Sequence, residues 1–423
     1  MFEQSVKIHD LSHDGRGVGR LPSGKTCFIA GALPGETVRF KILKSKRSFD
    51  EAVCLEVIAA SPGREEPRCE YYANCGGCEL QHMTTEMQLD WKQRQLQTTF
   101  EKARLIVDSW MPPLDAGGWN YRRRTRLAVV FDKAGTVTIG YRARASKRIV
   151  NIAQCEVLDQ QLNALIPELQ ALAPILKSNG LSELELSSGD QEQAVCFNLR
   201  SALTAEQINL IQQRLGKVQL WQKLPGEPAM PVTGSGILTA GIVDDIQLGF
   251  CPGQFVQINS AVNRAMVEQA IDWLNPQLDQ DLLDLFCGAG NFGLAFSPRV
   301  KAVLGAEGSD KLCDQARTNA ELNGLHNLEF KTVNLFEPGQ FSRLGKEQFD
   351  LVILDPPRAG ASELMLWLAK QGPEKVLYIS CHPATMVRDI QLLSQDYRIE
   401  KVGAMNMFPH TTHLEAMTLL VKR

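Results

Sequence analysis

Two residues near the end of the chain could form a covalent reaction centre. Cys381 directly follows KVLYIS, an apolar run typical of a buried strand, and Glu415 lies in the segment HTTHLEAMTLL. Cysteine is the side chain most nucleophilic near neutral pH, and a carboxylate can remove a proton in the same reaction. A lone cysteine at a strand end is more often a small buried apolar residue. The pair predicts nucleophilic catalysis if the fold brings both residues to one crevice.

A glycine-rich turn indicates a nucleotide-like ligand in the same part of the chain. The segment DLFCGAGNFG places Gly288, Gly290 and Gly293 between a predicted strand and a predicted helix. Glycines at such a turn let the backbone approach a ligand closely. The next predicted strand ends at Glu307, whose carboxylate could accept hydrogen bonds from ribose hydroxyls. The spacing also satisfies G-x-G-x-x-G, so a nicotinamide-dependent dehydrogenase is an alternative, as is a structural turn without a ligand.

A further predicted strand ends in Asp355-Pro356-Pro357-Arg358. Ligands of open α/β sheets bind beyond the carboxyl ends of the strands, and the prolines fix the backbone so that Asp355 faces that crevice. In amino-methyltransferases a similar motif ends in an aromatic residue. Arg358 at this position argues against amine methylation, and a simple strand-ending turn is the alternative interpretation.

Four cysteines form a second candidate site. Cys69, Cys75 and Cys78 lie within ten residues, and Cys155 is the best candidate for a fourth ligand. Four thiolates suit an iron–sulfur cluster or a structural zinc ion. Zinc sites more often contain two C-x2-C pairs, whereas this chain has one, which favours the cluster. The spacing also differs from the C-x3-C-x2-C of radical enzymes.

Residues 121–148 form a basic segment, with nine Lys or Arg residues and one acid. Arginines interleaved with tyrosines suit contacts with phosphates and stacking on bases, and we expect Arg123 and Arg142 to contribute to RNA binding. A solvated charged surface is the alternative. Near the N-terminus, Lys44, Lys46 and Arg47 occupy a predicted loop that could also face RNA.

The composition limits the class of protein. The 423 residues are 44% hydrophobic and 22% charged, with a net charge of −3. This balance excludes a globally basic nucleic-acid binder but not a local basic patch. No apolar run approaches the roughly 18 residues that span a bilayer, and the N-terminus lacks a signal-peptide pattern. We therefore expect a cytoplasmic protein with no membrane partner and with reduced cysteines.

The pattern of predicted elements divides the chain into three parts. Short strands with glycine turns predict a small β-barrel, like an OB fold, over residues 1–58. Residues 62–256 predict a central α+β domain that carries the cysteine loop and the basic hairpin. Residues 257–423 alternate apolar strands with helices, which predicts an α/β, Rossmann-like domain whose mostly parallel sheet is covered on both faces.

Together these motifs resemble the bacterial RNA uracil-C5 methyltransferases, most closely the branch that acts on 23S ribosomal RNA. The resemblance covers essentially the whole chain. It includes a TRAM-like barrel, the cysteine loop, DLFCGAGNFG, LDPPRAG, SCHPAT and HTTHLEA.

The resemblance implies methylation of carbon 5 of a uridine in 23S ribosomal RNA, with S-adenosylmethionine as methyl donor. We expect the protein to be a monomer. Cys381 would add to carbon 6 of the ring, and Glu415 would remove the proton from carbon 5. The expected contacts with S-adenosylmethionine are Gln257, Phe286, Asn291, Glu307, Asn334 and Asp355. The expected ligands of a [4Fe-4S] cluster are Cys69, Cys75, Cys78 and Cys155. The same chemistry on another RNA and a non-catalytic RNA-binding or assembly factor are the remaining alternatives.

Overall fold

The computed structural model describes residues 4–345 and 348–423, so residues 1–3 of the predicted barrel lie outside the described residues. The first five strands form a closed barrel in the order β1-β2-β3-β5-β4. They are β1 (Gln4–Leu11), β2 (Gly17–Arg20), β3 (Thr26–Ala30), β4 (Thr37–Ser45) and β5 (Phe49–Ala59). Alternate side chains such as Val6, Ile8, Val38 and Phe40 fill its interior, as the two-residue period of a strand requires.

The middle of the chain builds a seven-stranded sheet in the order β13-β12-β11-β10-β7-β8-β9. The elements of this part are α1 (Thr85–Lys102), β6 (Val107–Trp110), β7 (Arg124–Phe131), β8 (Val137–Arg142), β9 (Ile149–Asn151), α2 (Gln160–Ala164), α3 (Ile166–Leu172), β10 (Glu183–Ser188), β11 (Gln193–Asn198), α4 (Ala205–Leu215), β12 (Gln219–Lys223), β13 (Met230–Pro231), β14 (Leu238–Gly241) and β15 (Gln247–Phe250). The basic hairpin predicted from the sequence is the antiparallel pair β7 and β8. The last two strands pair only with each other within the described sheets.

The C-terminal part is an α/β domain with an eight-stranded sheet in the order β18-β17-β16-β19-β20-β22-β21-β6. Its elements are α5 (Ser260–Leu274), β16 (Asp281–Leu285), α6 (Asn291–Phe296), β17 (Ala302–Glu307), α7 (Asp310–Leu322), β18 (Leu328–Thr332), β19 (Leu351–Leu354), α8 (Ser362–Gln371), β20 (Lys375–Ser380), α9 (Pro383–Gln391), β21 (Tyr397–Met405) and β22 (Glu415–Lys422). Strands β16 to β20 are parallel, and an apolar cluster covers each face of the sheet. The prediction of a Rossmann-like domain is confirmed.

Two elements from the segment assigned to the central domain lie on this C-terminal sheet. Strand β6 pairs in parallel with β21 and forms the edge of the sheet. On helix α1, Leu96 and Phe100 are fully buried in the same apolar cluster as Leu283 and Tyr378. The helix thereby links the loop that carries three of the cysteines to the C-terminal domain.

The strand order reverses at β16, because β17 and β18 lie on one side of it and β19 and β20 on the other. The carboxyl ends of parallel strands meet at such a switch point and leave a crevice for a ligand. The glycine turn, Glu307, Asp355 and Cys381 all follow or end strands at this edge.

No helix in the described part of the chain is both long and apolar enough to cross a membrane.

Candidate active site

The turn between β16 and α6 has an unusual backbone conformation. Phe286 has φ of 61°, a left-handed value that is rare for a residue other than glycine, and Gly288 and Gly290 follow with φ of 55° and 97°. Strain of this kind concentrates at ligand sites. Asp284 stabilises the turn, because its Oδ2 accepts a hydrogen bond from the Gly293 amide at 2.8 Å. The Gly288 amide donates to Glu307 Oε2 at 3.3 Å.

Three of the residues expected to bind S-adenosylmethionine lie at neighbouring strand ends. Phe286 follows β16, Glu307 ends β17 and Asp355 follows β19. The Asp355 amide donates to the Leu285 carbonyl at 3.3 Å, which ties the two strand ends together. The ring of Phe286 lies 5.6 Å from that of Phe336, centroid to centroid.

The other three expected residues lie around this edge and have different surroundings. Asn334 follows β18 and its Oδ1 accepts from the Phe336 amide at 3.1 Å. Asn291 begins α6, and its side-chain amide exchanges two hydrogen bonds with that of Asn263, at 2.9 and 3.0 Å. Gln257 is half-buried in the segment just before α5. The side chain of Asn291 is thus oriented by Asn263.

Buried carboxyl groups dominate the electrostatics of the crevice. Burial raises the pKa of Asp284 to about 7 and that of Asp355 to about 7. Burial, with help from Asp355, raises the pKa of Glu415 to about 8. Groups held this far from their ordinary pKa are typical of functional sites. Such a crevice favours a ligand with positive charge, which would offset the repulsion among its carboxylates.

The sheet register brings Cys381 and Glu415 together. Strands β20 and β22 are antiparallel, and Ser380 pairs with Ala416. Continuing this register by one residue sets Cys381 opposite Glu415. Burial raises the pKa of the Cys381 thiol, as do the charges of Glu415 and Asp355, whereas Arg358 lowers it. The structure thus places a thiol, a carboxyl group and a guanidinium at one edge of the sheet.

Sequence reasoning missed the side chains that hold the loop in front of Glu415. Gln88 and Lys92 lie on the buried face of α1 and contact the segment between β21 and β22. Their signal in the sequence is a polar pair inside a helical apolar pattern, with Trp91, Leu96 and Phe100 as the neighbouring buried residues. A polar group on such a face requires a buried partner, but the sequence does not reveal which one.

The four predicted cluster ligands line one cavity of about 560 Å³. Cys69, Cys75 and Cys78 come from the loop before α1, and Cys155 reaches the cavity from the segment after β9. Burial raises the pKa of all three loop thiols, that of Cys78 to about 12. Within residues 4–345 and 348–423, no three His, Cys, Asp or Glu side chains are grouped closely enough to hold a single metal ion. The four thiols thus share one cavity, which Glu156 also lines, at a wider spacing than one ion requires.

The basic segment is only partly a free surface. Arg123 is buried, and its guanidinium contacts Asp190 at 2.7 Å. Arg124 and Arg126 both pair with Glu185, at 2.8 and 2.9 Å. The structure argues against the expectation that Arg123 contacts RNA, because its side chain is buried and already pairs with the Asp190 carboxylate. Arg142, Lys147 and Arg148 are exposed.

Comparison with known proteins identifies the family. Residues 243–423 match the model of the family described as tRNA (Uracil-5-)-methyltransferase, and residues 3–54 match the TRAM domain. The chain is 41% identical to the 23S rRNA (uracil(1939)-C(5))-methyltransferase RlmD of Pseudomonas savastanoi pv. phaseolicola, over 99% of this chain and 93% of that one. It is 38% identical to the RlmD of Mannheimia succiniciproducens, over 100% and 96% of the two chains.

A solved structure has the same overall fold. The Pyrococcus abyssi tRNA (uracil-54, C5)-methyltransferase, solved in complex with S-adenosyl-L-homocysteine, superposes with a TM-score of 0.78 at 24% identity. The match covers 99% of this chain and 100% of that one. Given this fold and its identity to RlmD proteins along almost its whole length, the chain belongs to the RlmD group of RNA uracil-C5 methyltransferases.

Proposed function

We propose that this protein transfers a methyl group from S-adenosylmethionine to carbon 5 of a uridine in 23S ribosomal RNA. The position is uracil 1939, for which its RlmD relatives are named. The observation that carries the chemistry is the placement of Cys381 opposite Glu415, at the sheet edge that also holds the glycine turn. Family membership supports the choice of RNA and methyl donor.

The reaction requires carbon 5 of the uracil ring to be made nucleophilic. In free uracil this carbon is a poor nucleophile. The Cys381 thiolate adds to carbon 6, so that negative charge develops on carbon 5. S-adenosylmethionine, when bound, would supply the methyl group: the electron pair on carbon 5 would bond to it, its bond to the positively charged sulfur would break, and S-adenosylhomocysteine would leave. The Glu415 carboxylate then removes the proton from carbon 5, the C–H electron pair re-forms the C5=C6 bond, and the C6–S bond breaks to return the thiolate to Cys381. The target base must leave its stack for Cys381 to reach it.

The six expected donor-site residues are proposed to hold S-adenosylmethionine. The strained turn at Phe286 and the aromatic neighbour Phe336 offer a surface for the adenine ring. Glu307 ends its strand where a ribose would lie, and Asp355 contributes negative charge that suits the sulfonium. Gln257, Asn291 and Asn334 complete the set. These assignments agree with the crevice electrostatics, since a cationic ligand offsets the repulsion among the buried carboxylates.

The direct test of this function is to supply RNA that lacks the modification. 23S ribosomal RNA from cells without the protein is incubated with the enzyme and labelled S-adenosylmethionine, and the methylated nucleotide is mapped. We expect one 5-methyluridine, at uracil 1939. Transfer RNA from the same cells serves as the comparison substrate. Methylation of transfer RNA but not of 23S RNA would assign the same chemistry to another substrate and contradict the proposal.

The pH dependence of turnover provides a separate prediction. Both reacting groups must lose a proton before they act, and the pKa of Glu415 is raised to about 8, mainly by burial. Below that pH Glu415 is mostly protonated and cannot serve as a base. Turnover at saturating substrates should therefore rise at least about tenfold for each pH unit up to about pH 8 and should keep rising above it, because burial also raises the pKa of the Cys381 thiol. A flat profile between about pH 6 and pH 9 would contradict the assignment.

We also propose that Cys69, Cys75, Cys78 and Cys155 hold a [4Fe-4S] cluster. Support comes from their common cavity of about 560 Å³, from their thiol-only donor set and from the single C-x2-C pair. We expect protein purified without oxygen to be brown and to contain iron and sulfide in equal amounts. Cys155→Ser should lose most of both, whereas Cys196→Ser, at a buried cysteine of β11, should retain them. Zinc alone in the wild-type protein would contradict the cluster.

The exposed part of the basic segment is proposed to bind RNA phosphates. Replacing both Arg142 and Lys147 with alanine should weaken RNA binding and flatten the dependence of affinity on salt, by about one unit of log–log slope for each phosphate that the variant no longer binds. Binding is measured by filter retention at several salt concentrations. Arg214→Ala, which removes an exposed ion pair with Glu168 on another face of the central part, is the control. An unchanged salt slope in the double variant would exclude this surface.

The remaining assignments follow from the proposed substrate. An enzyme that modifies ribosomal RNA works in the cytoplasm and has no membrane partner. All proposed reacting side chains come from one chain, so a monomer suffices. We propose the division into a TRAM-type RNA-binding barrel (residues 1–58), a central cluster and RNA domain (residues 62–256) and a methyltransferase domain (residues 257–423). Helix α1 and strand β6 of the central segment pack on the methyltransferase sheet.

A further inference from the structure

We propose that Lys92 is a positioning residue for Glu415: from the buried face of α1 it fixes the loop that delivers this carboxylate and sets a positive charge near it. The inference rests on the proposed function, because it takes Glu415 as the base. It concerns a residue more than 300 positions away from the base in sequence. Its role is to act through Glu415 and not on the RNA.

The contacts of Lys92 all lead to the loop between β21 and β22. Its side chain is 1% exposed. The ammonium Nζ donates to Asn406 Oδ1 at 2.8 Å and to the Phe408 carbonyl at 3.0 Å. The Asn406 side chain in turn donates to Asp115 Oδ1 at 2.7 Å. Because β22 begins at Glu415, these bonds fix the chain just before the base.

A second side chain of the same helix secures the middle of this loop. Gln88, one helical turn before Lys92, accepts a hydrogen bond from the His410 amide at 2.9 Å. The His410 carbonyl accepts from the amides of Glu79 and Leu80, at 2.9 and 3.0 Å. The His410 ring stacks on Trp119 at 3.9 Å. The loop is thus held at Asn406, Phe408 and His410, which leaves Glu415 little freedom to move away from Cys381.

The charge of Lys92 calls for an explanation beyond packing. A methionine of similar length would fill the same space without the cost of burying an ammonium group. The charges of Asp115, Glu415 and Glu79 raise the pKa of Lys92 and so favour its charged form. The charge of Asp355 raises the pKa of Glu415, whereas the charges of Arg358 and Lys92 lower it. The charge of Glu415 in turn raises the pKa of the Cys381 thiol.

Each of the two groups favours the charged form of the other. Burial lowers the pKa of Lys92 and raises the pKa of Glu415, and the charge of each partner partly offsets the shift of the other. Without Lys92, the charge of Asp355 would oppose ionisation of Glu415, and only Arg358 would remain to offset it. A neutral Glu415 cannot accept the carbon-5 proton.

The consequence falls on one step of the reaction. Addition of Cys381 to carbon 6 and methyl transfer to carbon 5 precede the action of the base. Proton removal from carbon 5 then re-forms the ring double bond and releases the thiolate of Cys381. A protein that lacks Lys92 should therefore stall with methylated RNA still bonded to Cys381.

Two RNA substrates separate this step from the earlier ones. A 5-fluorouridine at the target position has no carbon-5 proton, so it reports only addition and methyl transfer. We expect Lys92→Met to form the fluorinated adduct at a rate within about twofold of wild type, while its turnover on normal RNA falls about tenfold or more and the covalent adduct accumulates. Gln93→Ala is the control, because Gln93 bonds to Met111 and to Ala404 of β21 and should keep normal turnover without adduct.

Normal turnover of Lys92→Met without accumulated adduct would overturn the inference. So would loss of both trapping and turnover in protein that still unfolds cooperatively, since that result indicates a purely structural role. Should Lys92→Met fail to fold, the same assays on Asn406→Ala, which removes the side chain between Lys92 and Asp115, carry the same expected and contrary results. Failure of the wild-type protein to methylate or trap RNA would instead refute the proposed function.

Discussion

Replacing Cys381 with alanine should abolish methylation while binding of the methyl donor survives. Without the thiolate, carbon 5 of the ring has no means of becoming nucleophilic, and we expect the rate to fall on the order of 10⁴-fold or more. The side chain follows β20 and lies outside the glycine turn, so the donor site should keep its affinity. Methyl transfer from labelled S-adenosylmethionine and titration calorimetry with S-adenosylhomocysteine measure the two properties.

The control for this prediction is another buried cysteine. Cys196→Ala alters a buried position on strand β11, far along the chain from the reacting groups, and should leave the methylation rate nearly unchanged. Residual methylation by Cys381→Ala above about one hundredth of the wild-type rate would contradict covalent catalysis through this residue.

Replacing Glu415 with glutamine should have a different outcome. The amide preserves the shape of the side chain but cannot accept the carbon-5 proton, so turnover should fall on the order of 10³-fold. Addition and methyl transfer precede this step, and each enzyme molecule should therefore retain methylated RNA as a covalent adduct. Denaturing electrophoresis of enzyme mixed with labelled RNA would show this species as a slowly migrating band.

A double variant that also lacks Cys381 is the control for this experiment. The double variant Cys381→Ala, Glu415→Gln should form no such band, because no sulfur remains to hold the RNA. Rapid turnover by Glu415→Gln, or its complete failure to form the adduct while it still binds both substrates, would remove Glu415 from the role of base.

Much of the candidate catalytic centre could be predicted because its signals are local. The apolar run before Cys381, the glycines after β16 and the prolines after Asp355 each mark a strand end within a few residues. The rule that parallel strands present their carboxyl ends at one edge then brings these residues together. The sheet order confirms this reasoning, since β16, β19 and β20 are neighbours.

The features that sequence reasoning missed depend on partners far away in the chain. Arg123 belongs to a basic run that indicates a surface, but its partner Asp190 lies 67 residues later. Lys92 is a charged residue of a predicted helix, and its partner Asn406 lies 314 residues later. Strand β6 falls within the predicted central domain, yet Asp108 contacts Arg398, 290 residues further on. Long-range pairing of this kind is decided by packing, for which a single sequence carries no local signal.

The proposed mechanism depends most directly on a covalent bond between Cys381 and the target base. The decisive measurement is to incubate the enzyme and S-adenosylmethionine with RNA that carries 5-fluorouridine at the target position, digest the complex and identify the modified peptide by mass spectrometry. The mechanism predicts a nucleotide that carries the added methyl group, bonded to the peptide that contains Cys381. Absence of any adduct, or an adduct on a different residue, would contradict it.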